Sequence, residues 1–249
     1  MSFQEEANNR LLSYLELLDR REKREFFRLA KYWKNISSSL DGLINRLSKL
    51  EKLSSDQLFR LELYKSFLED SRVVINTYNK FAEGIILNEK EAFANLGLKS
   101  AQDLLGARFY NKLNTEAVKI MVGKTTEGTP LFELLSKSYP ETVENITNTL
   151  MESMAVGRNP RVTAEFLKGD MDGNLDRALR IARTEQLNVF RDAQTLQYQE
   201  SGIVKAKDWL GEPDACEEIC QEGIANNPYP LDEVMSTHPN CRCAWSPVL

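Results

Sequence analysis

The chain has 249 residues, 42% of them hydrophobic and 28% charged, with a formal net charge of -5. That balance describes a folded protein with enough apolar material for a real core, in one large domain or two modest ones, and two is the reading preferred here. It excludes a global electrostatic attraction to nucleic acid or anionic membranes, leaving room only for a local basic patch.

The first ten residues, MSFQEEANNR, carry acids instead of a basic, then apolar, signal sequence, and nowhere does an apolar run reach the length of a bilayer. Synthesis in a cytoplasm is expected. From residue 3 to about 81 the periodicity is helical. Leu11, Leu15 and Leu18 start a stripe that resumes with Phe26, Leu29, Ala30 and Trp33. Ser37-Ser38-Ser39 reads as a break. Leu40, Leu43, Leu47 and Leu50 mark a second helix, and Ser54-Ser55-Asp56 can cap a third bearing Leu58, Leu61, Phe67 and Leu68. Three such helices joined by short polar turns predict an antiparallel hairpin or bundle.

Within the first helix, Arg20, Arg21, Lys23, Arg24, Arg28, Lys31 and Lys34 alternate with Asp19, Glu22 and Glu25. Interspersed acids favour a solvated face laced with i,i+4 pairs over a stripe facing DNA or an acidic partner.

Between Gly84 and Pro140 the pattern weakens. Gly97, Gly106, Gly123, Gly128 and Pro130 punctuate short pieces, Ala117 to Val122 reads as a short strand or helical turn, and the whole reads as a linker-rich middle. Helical spacing returns from Glu141 to Val156, stops at Gly157-Arg158-Asn159-Pro160, and resumes near Val162 to Leu167. After Gly169-Asp170-Met171-Asp172-Gly173-Asn174 a long helix is predicted from Leu175 to Glu200, with Gly202 as a left-handed C-cap. Ile203 to Trp209 alternates like a strand, and Cys243 to Val248 reads as another, with an edge-suited proline. The expected class is α+β, mostly α-helical: an N-terminal helical bundle or hairpin, a helical segment, and a small C-terminal antiparallel sheet with a Cys/His cluster. The domain division expected is 1–140 and 141–249.

Asp170-Met171-Asp172-Gly173-Asn174 resembles the start of a calcium loop, but the twelfth position is Ile181 instead of a bidentate Glu, so an ordinary helix-entry turn is expected. No phosphate-binding glycine loop is present in the sequence.

The most informative feature is that all four cysteines, Cys216, Cys220, Cys241 and Cys243, and the single histidine, His238, fall within 28 residues. In a cytosolic protein these read as thiols or thiolates, not disulfides. Thiolate and imidazole are zinc's preferred ligands, and a structural site needs four. Extended geometry through Cys241 and Cys243 puts both thiols on one side. A CxC pair is less usual in zinc sites than CxxC, and small buried free cysteines are common, so a zinc or other soft-metal site and a set of buried thiols stand side by side. A zinc deaminase needs HxE ahead of PCxxC, which this order does not supply. A cysteine nucleophile with His238 as its base has no supporting signature. No catalytic residue and no cofactor other than zinc is expected.

Ala182-Arg183-Thr184-Glu185, then Ala193, Tyr198, Gly202, Trp209 and Asp214, and finally His238-Pro239-Asn240-Cys241-Arg242-Cys243 with Pro247, resemble the C-terminal domain of phage head-morphogenesis (minor head) proteins of the phage Mu protein F type. The resemblance covers about residues 145 to 249. Where that family often has an Arg-Thr pair before CxxC or a His, this chain has Ala215-Cys216-Glu217-Glu218-Ile219-Cys220. The resemblance implies a non-enzymatic, low-copy structural protein of the virion, assembled in the host cytoplasm and sitting inside the capsid near the portal. Its implied partners are the portal protein, scaffold or major capsid protein, with packaged phage DNA as a further one and no membrane. It also implies a buried Arg183–Glu185 pair anchoring its helix to the small sheet. The alternative function is a Cys/His, zinc-dependent enzyme or toxin-like effector.

Overall fold

The computed structural model describes residues 2–48, 57–106, 122, 135, 138–155, 160–211, 217–235, 237–239 and 241–249. In chain order the elements are α1 (Phe3–Ser48), α2 (Gln57–Leu105), α3 (Ser138–Ala155), α4 (Pro160–Ser201), β1 (Ala206–Leu210), a π-helical turn (Glu217–Gln221) running into the single-turn α5 (Glu222–Ala225), and β2 (Ala244–Val248). The class is α+β and mostly helical, with N-terminal helices and a two-stranded antiparallel sheet at the C-terminal end.

The helices are fewer and longer than the sequence suggests. α1 runs through Ser37-Ser38-Ser39 because the hydroxyls of Ser38 and Ser39 donate back to the carbonyls of Asn35 (2.7 Å) and Ile36 (3.3 Å), satisfying themselves without ending the helix. α2 crosses Gly84 and Gly97 and turns much of the expected linker into helix. Its buried stripe of Tyr78, Ala82, Ile86, Phe93 and Ala101 keeps helical spacing across both glycines, and packing of such a face outweighs propensity. α4 likewise runs straight through Gly169 to Asn174, so the calcium-loop look-alike is helix interior, not a turn; Ala164, Leu167, Asn174, Ala178 and Ala182 form its buried face. α2 and α4 do stop at glycines, Gly106 (φ 80) and Gly202 (φ 67), in the left-handed conformation glycine adopts cheaply. The Ser54-Ser55-Asp56 cap, Ala117 to Met121, Gly123, Gly128, Pro130 and Gly157 to Asn159 lie outside the described residues; Val122 is helical.

The chain divides into two compact units built from interleaved stretches: Met1–Glu25, Ile86–Pro130 and Arg180–Leu249 form one, Phe26–Ile85 and Leu131–Leu179 the other. Neither coincides with 1–140 or 141–249, because the long helices α1, α2 and α4 each give one part to each unit.

In the second unit, Tyr32 stacks on Phe81 with ring centroids 3.7 Å apart, and Trp33 meets Tyr78 edge-on at 4.9 Å. Thr149 donates to Asp170 at 3.0 Å, and the Asn79 amide donates to the Leu135 carbonyl.

In the first unit, Ala7, Leu11, Leu15 and Leu18 of α1 pack with Phe93 and Leu104 of α2, Leu187 and Phe190 of α4, and Ala244 of β2. α1 and α2 are antiparallel there, with Tyr14 hydrogen-bonded to Asp103 and Arg21 paired with Glu89. At Gly97 the backbone of α2 lies hard against α4: a Cβ there would run into the Phe190 carbonyl oxygen and lie 3.0 Å from the Ala193 Cβ. Gly97→Ala is therefore expected to destabilise the protein by about 1–3 kcal/mol through overpacking, outweighing alanine's better helix propensity. Urea denaturation measures it, and a stabilised variant would contradict the contact.

β1 and β2 pair in the register Ala206↔Val248 through Leu210↔Ala244, which sets Trp209 opposite Trp245. The other edge of β1 is covered too. Lys207 and Tyr229 exchange backbone hydrogen bonds of 2.9 and 2.8 Å, and the Asn227 side chain accepts from the Trp209 amide (2.6 Å) and donates to its carbonyl (3.0 Å). An edge paired this way is closed to further strands. The start of α1 docks on the sheet: Gln4 donates to Asp208 and Ser246, and the Ser246 hydroxyl donates to Asn8 at 2.7 Å. Among the described residues no helix is long and apolar enough to cross a membrane.

Candidate metal centre

Two elements bring the soft ligands together. The π-helical turn aims Cys220 inward, and the run from His238 enters β2 through Cys241 and Cys243. The Cys241 amide donates to the His238 carbonyl at 3.1 Å, closing a tight turn between two ligand residues. Donor atoms of Cys220, His238 and Cys241 all lie within 4.8 Å of one another and could hold a metal ion. Cys220 Sγ is 3.2 Å from His238 Nε2 and 3.7 Å from Cys241 Sγ.

These spacings can be compared with a tetrahedral zinc site, whose bond lengths put two sulfurs about 3.8 Å apart and a sulfur and a nitrogen about 3.6 Å apart. The sulfur pair matches, and the sulfur–nitrogen pair is a few tenths of an ångström short. The His238 ring is oriented as a ligand, because its Nδ1 lies 2.8 Å from the Pro239 carbonyl oxygen. A carbonyl only accepts, so Nδ1 holds the proton and Nε2 presents its lone pair to the cluster, as in metal-bound histidines steadied by a backbone carbonyl.

Cys220, Cys241 and Cys243 are free thiols exposed by only 1%, 3% and 2%. They form part of an apolar cluster with Ala101, Leu105, Tyr198, Trp209 and Trp245. A hydrogen bond from Cys243 lowers the Cys241 thiol to about 5, burial opposes that, and the Arg191 guanidinium reinforces it. The same contact, together with burial, raises Cys243. Of the five ligands read from the sequence, the structure brings together Cys220, His238 and Cys241, buries Cys243 in the same apolar cluster but outside that group of donor atoms, and Cys216 lies outside the described residues.

Arg191 has no counterpart among the expected site residues. From α4 its Nη2 donates to the Cys241 carbonyl (2.6 Å), its Nε to the Cys243 carbonyl (2.7 Å) and its Nη1 to Asn188 (2.7 Å), with the guanidinium over the Trp209 ring. Its sequence signal is an arginine in core register, one turn after Leu187 and beside Phe190. Nearby, buried Lys207 sits 4.2 Å over the Trp245 ring and donates to the Glu233 carbonyl, and burial lowers its ammonium to about 8.

The Ala182-Arg183-Thr184-Glu185 segment lies in the same unit, but Arg183 and Glu185 do not anchor α4 to the sheet by pairing with each other. Arg183 pairs with Glu22 of α1 and Glu185 with Lys90 of α2, while Gln186 donates to Glu25, so the motif ties three helices together. Two positions apart on a helix, Arg183 and Glu185 point in different directions, and each meets a different neighbour. This also resolves the mixed charge run of α1. Glu22 and Glu25 are buried, whereas Arg20, Lys23, Arg24, Arg28, Lys31 and Lys34 are exposed.

No family model matches the chain, and neither curated proteins nor solved structures give a match.

Proposed function

We propose that this chain is a structural, non-enzymatic minor head protein of a tailed bacteriophage, of the head-morphogenesis type, whose C-terminal segment is held closed on itself by zinc bound through Cys220, His238 and Cys241. The observation that carries this reading is the packing of the ARTE and HPNCRC segments into one unit, one welding helices and the other closing a buried Cys/His cluster. Burial of the sulfurs supports a structural role for the metal, since a catalytic site keeps a coordination position open to substrate. The protein works in the virion, inside the capsid near the portal, with the portal protein, scaffold or major capsid protein as partners. Its docking element is α1, whose outward cations steer the encounter with an acidic partner surface.

Co-sedimentation of the full-length protein with portal rings or procapsids tests this. Binding is expected at low salt and weaker binding at high salt. Arg24→Glu/Lys31→Glu is expected to lower affinity about tenfold or more. Lys99→Glu/Lys205→Glu, with the same change in net charge at exposed positions elsewhere, should bind as the wild type does. Absence of binding to portals and procapsids alike would sink the minor head assignment, and binding indifferent to salt and to both variants would remove the α1 face from it.

A further inference from the structure

Two free sulfurs this close can be joined in either of two ways. Cys220 and Cys241, neither of them in a disulfide, hold their Sγ atoms 3.7 Å apart. A zinc ion about 2.3 Å from each sulfur spans that gap without moving either side chain. A covalent bond of about 2.05 Å needs the sulfurs to approach by about 1.7 Å, a shift that rotation about the cysteine side-chain bonds supplies. The two states exclude each other, because the sulfur bond consumes the thiolate charge through which the pair would hold an ion.

Burial selects the oxidant. The two cysteines are exposed by only 1% and 3%, which shuts out a bulky disulfide such as oxidised glutathione, since exchange needs attacking and attacked sulfurs in contact. A small uncharged hydroperoxide needs far less room. Cys220 is the sulfur it meets first: exposed Ile219 and Gln221 flank it in the π-helical turn, half-buried His238 lies 3.2 Å away, and local opening of that one turn admits a molecule of this size. We propose that Cys220 and Cys241 form a site of oxidative modification by small hydroperoxides, in which the two sulfurs join as a disulfide and release the ion they would otherwise hold. With hydrogen peroxide, Cys220 attacks one peroxide oxygen, the O–O bond breaks, and a sulfenic acid forms while the other oxygen leaves as water. Cys241 then attacks the Cys220 sulfur, the S–O bond breaks, and the second oxygen leaves as water. The sulfurs give up two electrons to the peroxide, and the two protons come from the thiols in the metal-free protein or from solvent where thiolates hold the ion. This rests on the metal-binding reading above only for the ion released. On the virion reading, the ion closes the segment in a reducing cytoplasm and the disulfide keeps the same closure once the particle has left it.

Treating the full-length protein with hydrogen peroxide and mapping the products by alkylation and peptide mass gives the test. Reduced, metal-free wild type is expected to lose two thiols and to yield a Cys220–Cys241 link that a dithiol reductant reverses. Zinc-loaded wild type should release about one zinc per link formed, read with a chromogenic chelator. Cys241→Ser should stop at a sulfenic acid on Cys220 that dimedone traps, whereas Cys243→Ser should form the link as the wild type does. The wild-type map decides the matter even where a variant does not fold. Thiols untouched by peroxide, a link through Cys216 or Cys243, oxidation beyond sulfenic acid without a link, or zinc retained by the linked protein would each overturn the proposal. A wild type that takes up no zinc yet forms the Cys220–Cys241 link would uphold the modification site and overturn the metal reading alone.

Discussion

Protein purified without added metal is expected to carry about one equivalent of zinc, and stripping it with a chelator should lower the thermal midpoint by about 8–16 °C. Metal that binds only the folded state at about a thousandfold excess over its Kd contributes about 4 kcal/mol, and for a chain of this size each kcal/mol is worth about 2–4 °C. The physical basis lies in what joins the C-terminal strand to the rest of its unit. Between α5 and β2 the described residues carry little regular structure, and Cys220 before that stretch meets His238 and Cys241 near its far end. Without the ion, Trp209, Trp245 and Tyr198 still pack together, so the protein should melt early and not be unfolded from the start. Elemental analysis finding no zinc, or a midpoint indifferent to the chelator, would refute this expectation.

Lys90→Met is expected to cost about 3–5 kcal/mol, the effect of breaking a buried ion pair by removing one partner. The Lys90 side chain is 0% exposed and that of its partner Glu185 6%, with 3.2 Å between Nζ and Oε2. Burial lowers the Lys90 pKa and Glu185 opposes that, so the ammonium relies on its carboxylate. Removing the lysine takes this counter-charge from the buried Glu185 carboxylate. Lys90→Met/Glu185→Met should recover most of the loss, because two well-packed apolar side chains often equal or exceed a buried pair in stability. Urea denaturation of the two variants decides the matter. A single variant costing less than about 1 kcal/mol, or a double variant no better than the single, would show that the pair does not work as described.

Those two residues also show where sequence reading reaches its limit. Leu11, Leu15, Leu18 and Trp33 are recognisable because a helix repeats its buried face every three or four residues, and the C-terminal strands and the Gly202 stop are recognisable for equally local reasons. Lys90 gives no such signal. It looks like any surface lysine until its partner 95 positions away is known. Gly97 is similar: within its own helix it reads as a breaker, and only the Phe190 carbonyl explains why a side chain is excluded. At the cluster, residue chemistry and spacing disclose His238, Cys220 and Cys241, since few other arrangements concentrate thiols and imidazole so closely. Arg191 escapes notice because its role depends on two carbonyls that only the folded chain sets in front of it.

The interleaving of the two units bears on how the polypeptide acquires its structure as it is made. Ala7, Leu11, Leu15 and Leu18 are synthesised well before Phe190 and Ala244, with which they share a core. At about 5–20 residues per second, that apolar stripe waits about 10–45 s for its neighbours. The nascent chain therefore presents a long amphipathic helix to chaperones, or to other nascent copies, during that interval. The first unit cannot be completed before Ala244 has been made, and the speed of that completion is governed by closing the long loop between Ala7 and Ala244.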